Sequence, residues 1–322
     1  MRNIFLTIGL IIVYFLTSIP VLSLPVNFDQ GQVIGEQDLY SLPLAYSSAD
    51  KIQSYLESQG SVLANYRPIV GFIDFGANNT ANTDDLIVGE VFSNVSSKFR
   101  PRDQVQTPFG GKNMRVSDLI WKIARENFGN SCYINYNTYR VEPGLCIDNS
   151  SRPINPAFLL TMIQKESGLV YGSNSKIDPN SDYGRFLLDR ALGYYCFENP
   201  DKSKSCYDEN PKWKYFKGFF QQIYKAYRLL RVREKTCQTG GSFAWKSGNN
   251  VFQVGNVVRI DSNEVTLKNG ITCAMYIYTP HIYPSQYNVW NIMKFLRADQ
   301  NLIEKRGVDA GYNPKTLRKF GV

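Results

Sequence analysis

One histidine, His281, stands in a chain of 322 residues. A Ser-His-Asp triad or a Cys-His nucleophile would have to be built on that single imidazole. The six cysteines include no CxxC pair, so a His/Cys zinc site lacks both its imidazoles and its usual thiolate spacing. No metal and no other cofactor is expected. Internal repeats and low-complexity tracts are absent too, so nothing suggests a repeat array or a long linker. Long apolar runs are confined to the N-terminus, where Asn3 to Phe28 carries no charge.

That first stretch decides the compartment. Arg2 is followed by an apolar run, Pro20 and the small residue Ser23, the layout of a secretory signal cleaved after Ser23 (segment 1–23). The uncharged stretch is also long enough to cross a bilayer, and a retained N-terminal anchor would attach the chain to a membrane. Either reading puts the remainder outside the cytoplasm. Six cysteines fit an exported chain, and pairing neighbours gives 132–146, 196–206 and 237–273 as the simplest disulfide set.

The remaining composition is globular, with 43% hydrophobic and 20% charged residues. Tyrosine is abundant, at 21 residues, which suits either carbohydrate stacking or an aromatic core with interfacial hydroxyls. The net charge of +8 is concentrated in 201–235 and 294–322. Outside a cell, such patches favour an anionic wall polymer or a membrane surface over nucleic acid. A solvated basic helix face is the plainer alternative.

The pattern along the chain is mainly helical. Residues 47–60 read as a helix capped by Ser47 or Ser48, with Ile52, Tyr55 and Leu56 on one face and Gly60 at its end. Residues 67–113 are polar and turn-rich, an irregular insertion. A second helix covers 116–129, capped by Ser117. The longest helical pattern spans 211–235, with Phe216, Phe220, Ile223, Tyr227 and Leu230 recurring every three or four residues. A Val-rich hairpin is expected over 250–270 and a closing helix over 285–298, leaving 299–322 as a basic tail.

The stretch INPAFLLTMIQKESGL, 154–169, carries the chemistry. Asn155 suits an N-cap, Pro156 the first helical position and Gly168 the stop, so the helix covers about 156–167. Glu166 shares its face with Ile163, Met162 and Leu159. A carboxyl on an apolar face, in the last turn where the helix dipole disfavours an anion, has its pKa raised twice over. It can then hold a proton near neutral pH and serve as a general acid. A rim glutamate paired with a lysine or arginine is the alternative. Ser167 either binds substrate or helps to end the helix. Asp178, Asp182 and Asp189 are weaker candidates for a second carboxyl, since 178–182 reads as a turn and lacks a full calcium-ligand series. His281 reads as structural.

This stretch resembles the catalytic helix of lysozyme-like lytic transglycosylases of the soluble (SLT) type, in which a Glu-Ser pair closes a similar run. Gly218-Phe219-Phe220-Gln221 is similar to that family's G-[LF]-[MF]-Q motif, and Ala274-Met275-Tyr276-Ile277-Tyr278-Thr279-Pro280 to its late tyrosine segment. The resemblance covers about 47–66 and 116–298. Glu166 and Gly218 are further apart than the family's motifs usually are. The resemblance implies a mainly α (α+β) fold: a lysozyme-like catalytic domain over 116–298 with a small β-hairpin excursion, preceded by a helix and insertion over 24–115. It implies Glu166 as acid and base on the MurNAc–GlcNAc bond of peptidoglycan, with Ser167, Gln221 and Tyr278 binding substrate. Two other functions remain open: a non-catalytic wall-binding protein of the same fold, and a hydrolytic lysozyme with a second carboxylate.

Overall fold

Asn155 starts the helix around which the others pack. Its side-chain oxygen accepts from the Ala157 N–H at 3.0 Å and its amide donates to the Asp38 carbonyl at 3.1 Å. Pro156 then enters a helix that needs no N–H from it, and Gly168 ends that helix in the left-handed conformation at φ 68°. The computed structural model describes residues 27–70, 112–125, 131–135, 140–147, 152–194 and 216–306. The leader, Cys196, Cys206 and the last part of the basic tail lie outside them.

The helices are α1 (Glu36–Tyr40), α2 (Ala49–Ser58), α3 (Val62–Asn65), α4 (Val116–Arg125), α5 (Pro156–Ser167), α6 (Asp182–Asp189), α7 (Phe219–Thr239), α8 (Gly270–Tyr278) and α9 (Tyr287–Arg306). The strands are β1 (Ile69–Val70), β2 (Lys112–Asn113), β3 (Ser131–Asn135), β4 (Arg140–Ile147), β5 (Trp245–Ser247), β6 (Asn250–Phe252), β7 (Val257–Ile260) and β8 (Asn263–Thr266). They pair antiparallel as β1–β2, β3–β4, β5–β6 and β7–β8. The fold is mainly α with short antiparallel ladders. β1 and β2 bring the two ends of the 67–113 stretch together.

A single apolar cluster runs from Phe28 to Leu296 and joins the N-terminal helices to those of 116–298. α5 sits inside it, with every residue from Pro156 to Ile163 buried. It packs against α4, α7 and α9, and the Thr161 hydroxyl meets the Met293 sulfur at 3.3 Å. α7 packs along α8, and a disulfide between Cys237 and Cys273 ties the two helices. Of the other expected pairs, Cys132 and Cys146 are opposite each other in the β3–β4 register.

Of the two expected caps of α2, Ser48 is the one, accepting from the Lys51 N–H at 3.2 Å. Several other expectations change. Ser117 does not cap α4: it lies inside the helix, buried, and its hydroxyl donates to Gln53 at 2.9 Å. The long helix starts at Phe219 and runs on to Thr239. The hairpin expected within 250–270 is β7–β8, a further hairpin, β5–β6, precedes it, and α8 begins at Gly270. α9 continues to Arg306, through the start of the expected tail, because no proline or glycine interrupts 287–306.

The largest correction concerns charge. Lys225, Arg228, Arg231 and Arg233 of α7 are buried, so this part of the basic segment forms neither a wet face nor a surface patch. Among the described residues, aromatic rings and the Glu234 carboxylate stand beside these charges. Arg228 lies over Tyr224, Lys225 over Phe216, and Arg231 pairs with Glu234 at 3.0 Å. The Tyr40 hydroxyl donates to the same Glu234.

The disulfide closes a separation of 36 residues. Replacing Cys237 and Cys273 together by alanine is expected to cost about 4 kcal/mol of stability by the loop-entropy relation. Denaturant unfolding of the double variant against the oxidised parent measures it.

Candidate active site

The last turn of α5 presents Glu166 where the apolar cluster gives way to surface. A fifth of its side chain is exposed, at 20%, and Oε1 meets the Lys165 ammonium at 2.5 Å. Two influences on the carboxyl oppose each other. Desolvation raises its pKa, the Lys165 charge and hydrogen bond lower it, and desolvation is the larger, so the pKa lies above the ordinary glutamate range. Glu166 is thus both the desolvated acid and the lysine-paired glutamate that the sequence left as alternatives.

The opposite wall is the turn 192–194. Gly193 has φ 62°, and a Cβ built on it would lie 3.4 Å from Glu166 Oε2. Glycine supplies the backbone conformation and leaves room at the carboxylate. Tyr278, the last residue of α8, donates its hydroxyl to the Leu192 carbonyl at 2.6 Å. Burial pushes the Tyr278 phenol pKa up, and the Glu166 charge adds to the shift, so the two groups share one electrostatic environment. Tyr194 stacks parallel to Tyr278 with ring centroids 6.2 Å apart.

Gln222 holds this turn in place. Its oxygen accepts from the Tyr194 N–H at 2.9 Å, and its amide donates to the Tyr194 carbonyl at 3.0 Å and the Phe216 carbonyl at 2.7 Å. Gln164 does the same after α5: its oxygen accepts from the N–H groups of Val170 and Tyr171 at 3.1 and 3.0 Å. Neither residue stood out in the sequence. A buried glutamine that replaces a missing secondary-structure ladder has no local signature.

The expected site residues separate accordingly. Glu166 and Tyr278 come together. Ser167 turns inward, buried, and its hydroxyl donates to the Ile163 carbonyl at 2.8 Å, so it closes the helix. Gln221, one position before Gln222, has a buried side-chain oxygen with no hydrogen-bond partner. The helix phase of α7 gives the clamping role to its neighbour.

The candidate second carboxyls have partners of their own. Asp178 accepts from the Asn180 N–H within its own turn at 2.9 Å. Asp182 is exposed and pairs with Arg185 at 2.5 Å. Asp189 faces Lys217 at 3.6 Å. Among the described residues, Lys165 is the charged group that acts on Glu166. His281 pairs with Asp261 at 2.9 Å, and Asp261 also accepts from the Ile282 N–H at 2.6 Å, a loop-holding arrangement. No group of three or more His, Cys, Asp or Glu side chains that could hold a metal ion occurs among the described residues. No family model, curated protein or solved structure matches the chain.

The two adjacent glutamines give a direct comparison. Gln222→Leu removes three buried hydrogen bonds to the Tyr194 and Phe216 backbone, and is expected to lower stability by about 3 kcal/mol. Gln221→Ala removes an amide whose oxygen bonds to nothing, and is expected to cost less than about 1 kcal/mol. Chemical denaturation of the two variants measures both.

Proposed function

We propose that the protein is an exported peptidoglycan lytic transglycosylase with a lysozyme-like catalytic domain, and that Glu166 is its single acid and base. The observation that carries this reading is a desolvated carboxyl with a raised pKa, set against Gly193 and Tyr278, on which Lys165, and no second carboxylate, acts among the described residues. Ordinary glycoside hydrolysis needs two carboxyls, whereas intramolecular transfer needs one.

In the proposed reaction Glu166 gives its proton to the glycosidic oxygen between N-acetylmuramic acid and N-acetylglucosamine as the C1–O bond breaks. The carboxylate left behind takes the proton of the same muramic acid's C6 hydroxyl while O6 bonds to C1. The products are a 1,6-anhydro end and a free sugar hydroxyl, and no water is consumed. Lys165 steadies the carboxylate between the two steps, and Tyr278 fixes the 192–194 turn that forms the wall. Because the acid form is needed first, activity falls as pH rises through the Glu166 pKa.

The substrate in this reading is peptidoglycan or a related anionic wall polymer, and the compartment is the cell envelope or exterior. Among the described residues, no helix is long and apolar enough to cross a membrane.

Digesting purified peptidoglycan with the parent and with Glu166→Gln, then reading the fragments by mass spectrometry, tests the proposal. The parent is expected to release anhydro-muropeptides, and the variant at least about a hundredfold less, the usual loss on removing a general acid. Reducing-end fragments would indicate hydrolysis. Wall binding without any fragments would indicate a non-catalytic wall-binding protein of the same fold.

A further inference from the structure

Helix α6 carries two large aromatic side chains into solvent. Tyr183 is 54% exposed and Phe186 42%. They are three residues apart, so they lie on one helix face, while Gly184 and Leu188 on another face are buried. The inner side of α6 is closely fitted: a Cβ on Gly184 would lie 2.0 Å from the Asp178 carbonyl oxygen. The orientation that exposes the rings is therefore fixed by packing on the opposite side.

Both ends of α6 lead to the turn that bears Glu166, one through Asn174 and the other through Gly193. At its start, the Tyr183 hydroxyl reaches Asn174 Oδ1 at 3.5 Å, and the Asn174 amide donates to the Ser167 carbonyl at 3.2 Å. At its finish, the chain passes from Asp189 through Arg190 to Gly193, which lies against the Glu166 carboxylate. The helix thus runs beside the candidate active site. The Arg190 guanidinium lies over the Phe186 ring at 4.0 Å and keeps it in a set orientation.

From this placement we infer that Tyr183 and Phe186 form a glycan-binding ledge, on which sugar units next to the scissile bond stack their C–H faces. Side chains three apart on a helix are neighbours, at a separation on the order of one pyranose unit, so one chain engages both rings. Tyr183 and Asn174 add polar groups at the ring edge for sugar hydroxyls or N-acetyl groups. The occupant is a polysaccharide strand. The inference rests on the peptidoglycan reading above, and it assigns the side on which the polymer extends from Glu166.

The test uses the full chain in four forms: parent, Glu166→Gln, Tyr183→Ala/Phe186→Ala, and the triple variant with all three changes. Tyr283→Ala, an exposed aromatic on a different segment, serves as control. Insoluble peptidoglycan is the probe. Binding is read by cosedimentation of Glu166→Gln against the triple variant, and cleavage by release of soluble fragments from the parent and the double variant. Thermal melts of all forms check that the exposed substitutions leave folding intact.

Loss of both rings is expected to weaken binding about tenfold and to raise KM on the polymer to match, with kcat little changed, as for removal of two stacking contacts. The control is expected to behave as parent. If no form cleaves but binding still depends on Tyr183 and Phe186, the ledge stands and the enzymatic reading falls. If the parent cleaves and the double variant binds and cleaves equally well, the ledge is overturned and the enzymatic reading stands. Equal loss in the Tyr283 control, or no binding by the Glu166→Gln protein, also overturns it.

Discussion

Burial of α5 on nearly every side is the constraint from which the site follows. Eight consecutive residues, Pro156 to Ile163, are out of water, so the carboxyl one turn further on is held at the edge of a dry interior. An ionised carboxylate there is poorly solvated, and Lys165 offsets only part of that cost. The folded state therefore holds the Glu166 proton more tightly than the unfolded chain does. The stability this lends is present below the unfolded pKa and is lost as pH rises through the folded one. A carboxyl kept half-dry is in this sense a weak point of the fold.

The rest of the molecule acts to keep that edge open and shaped. Gly193 leaves space at Oε2, Tyr278 ties down Leu192, and Gln222 grips Tyr194 from both sides. Tyr278 owes its position to α8, which is fixed to α7 by the Cys237–Cys273 disulfide, and α7 in turn carries Gln222. The two partners of the 192–194 turn thus come from a covalently joined helix pair. A shift in that pair would move the 192–194 turn against Glu166, which couples the core of the protein to its proposed chemistry.

Local features of the chain were legible where the physics is local. Asn155, Pro156 and Gly168 mark the bounds of α5 because capping and left-handed termination depend on neighbouring residues alone. Glu166 stood out for the same reason, being three, four and seven residues from apolar partners. The pairing of Cys237 with Cys273 followed from chain order. The burial of Lys225, Arg228, Arg231 and Arg233 was hidden, since the aromatic rings and Glu234 that make it tolerable reach it through packing and not through spacing. Gln222 had no signal of its own: the motif singles out Gln221 as a sugar-binding residue, and helix phase, which a motif does not show, decides which amide meets the 192–194 backbone. Ser167 was open between two roles, and the Ile163 carbonyl takes its hydroxyl.

The account depends on the protonation of one carboxyl, and that is directly measurable. With glutamate side-chain carboxyls labelled with carbon-13, the Glu166 resonance can be assigned by its loss in Glu166→Gln and followed through a pH titration of the folded protein. The account predicts a midpoint above the ordinary glutamate value of about 4.3. A midpoint at or below that value would mean that Lys165 outweighs desolvation, and Glu166 would then be an ion-paired carboxylate with no proton to give at neutral pH.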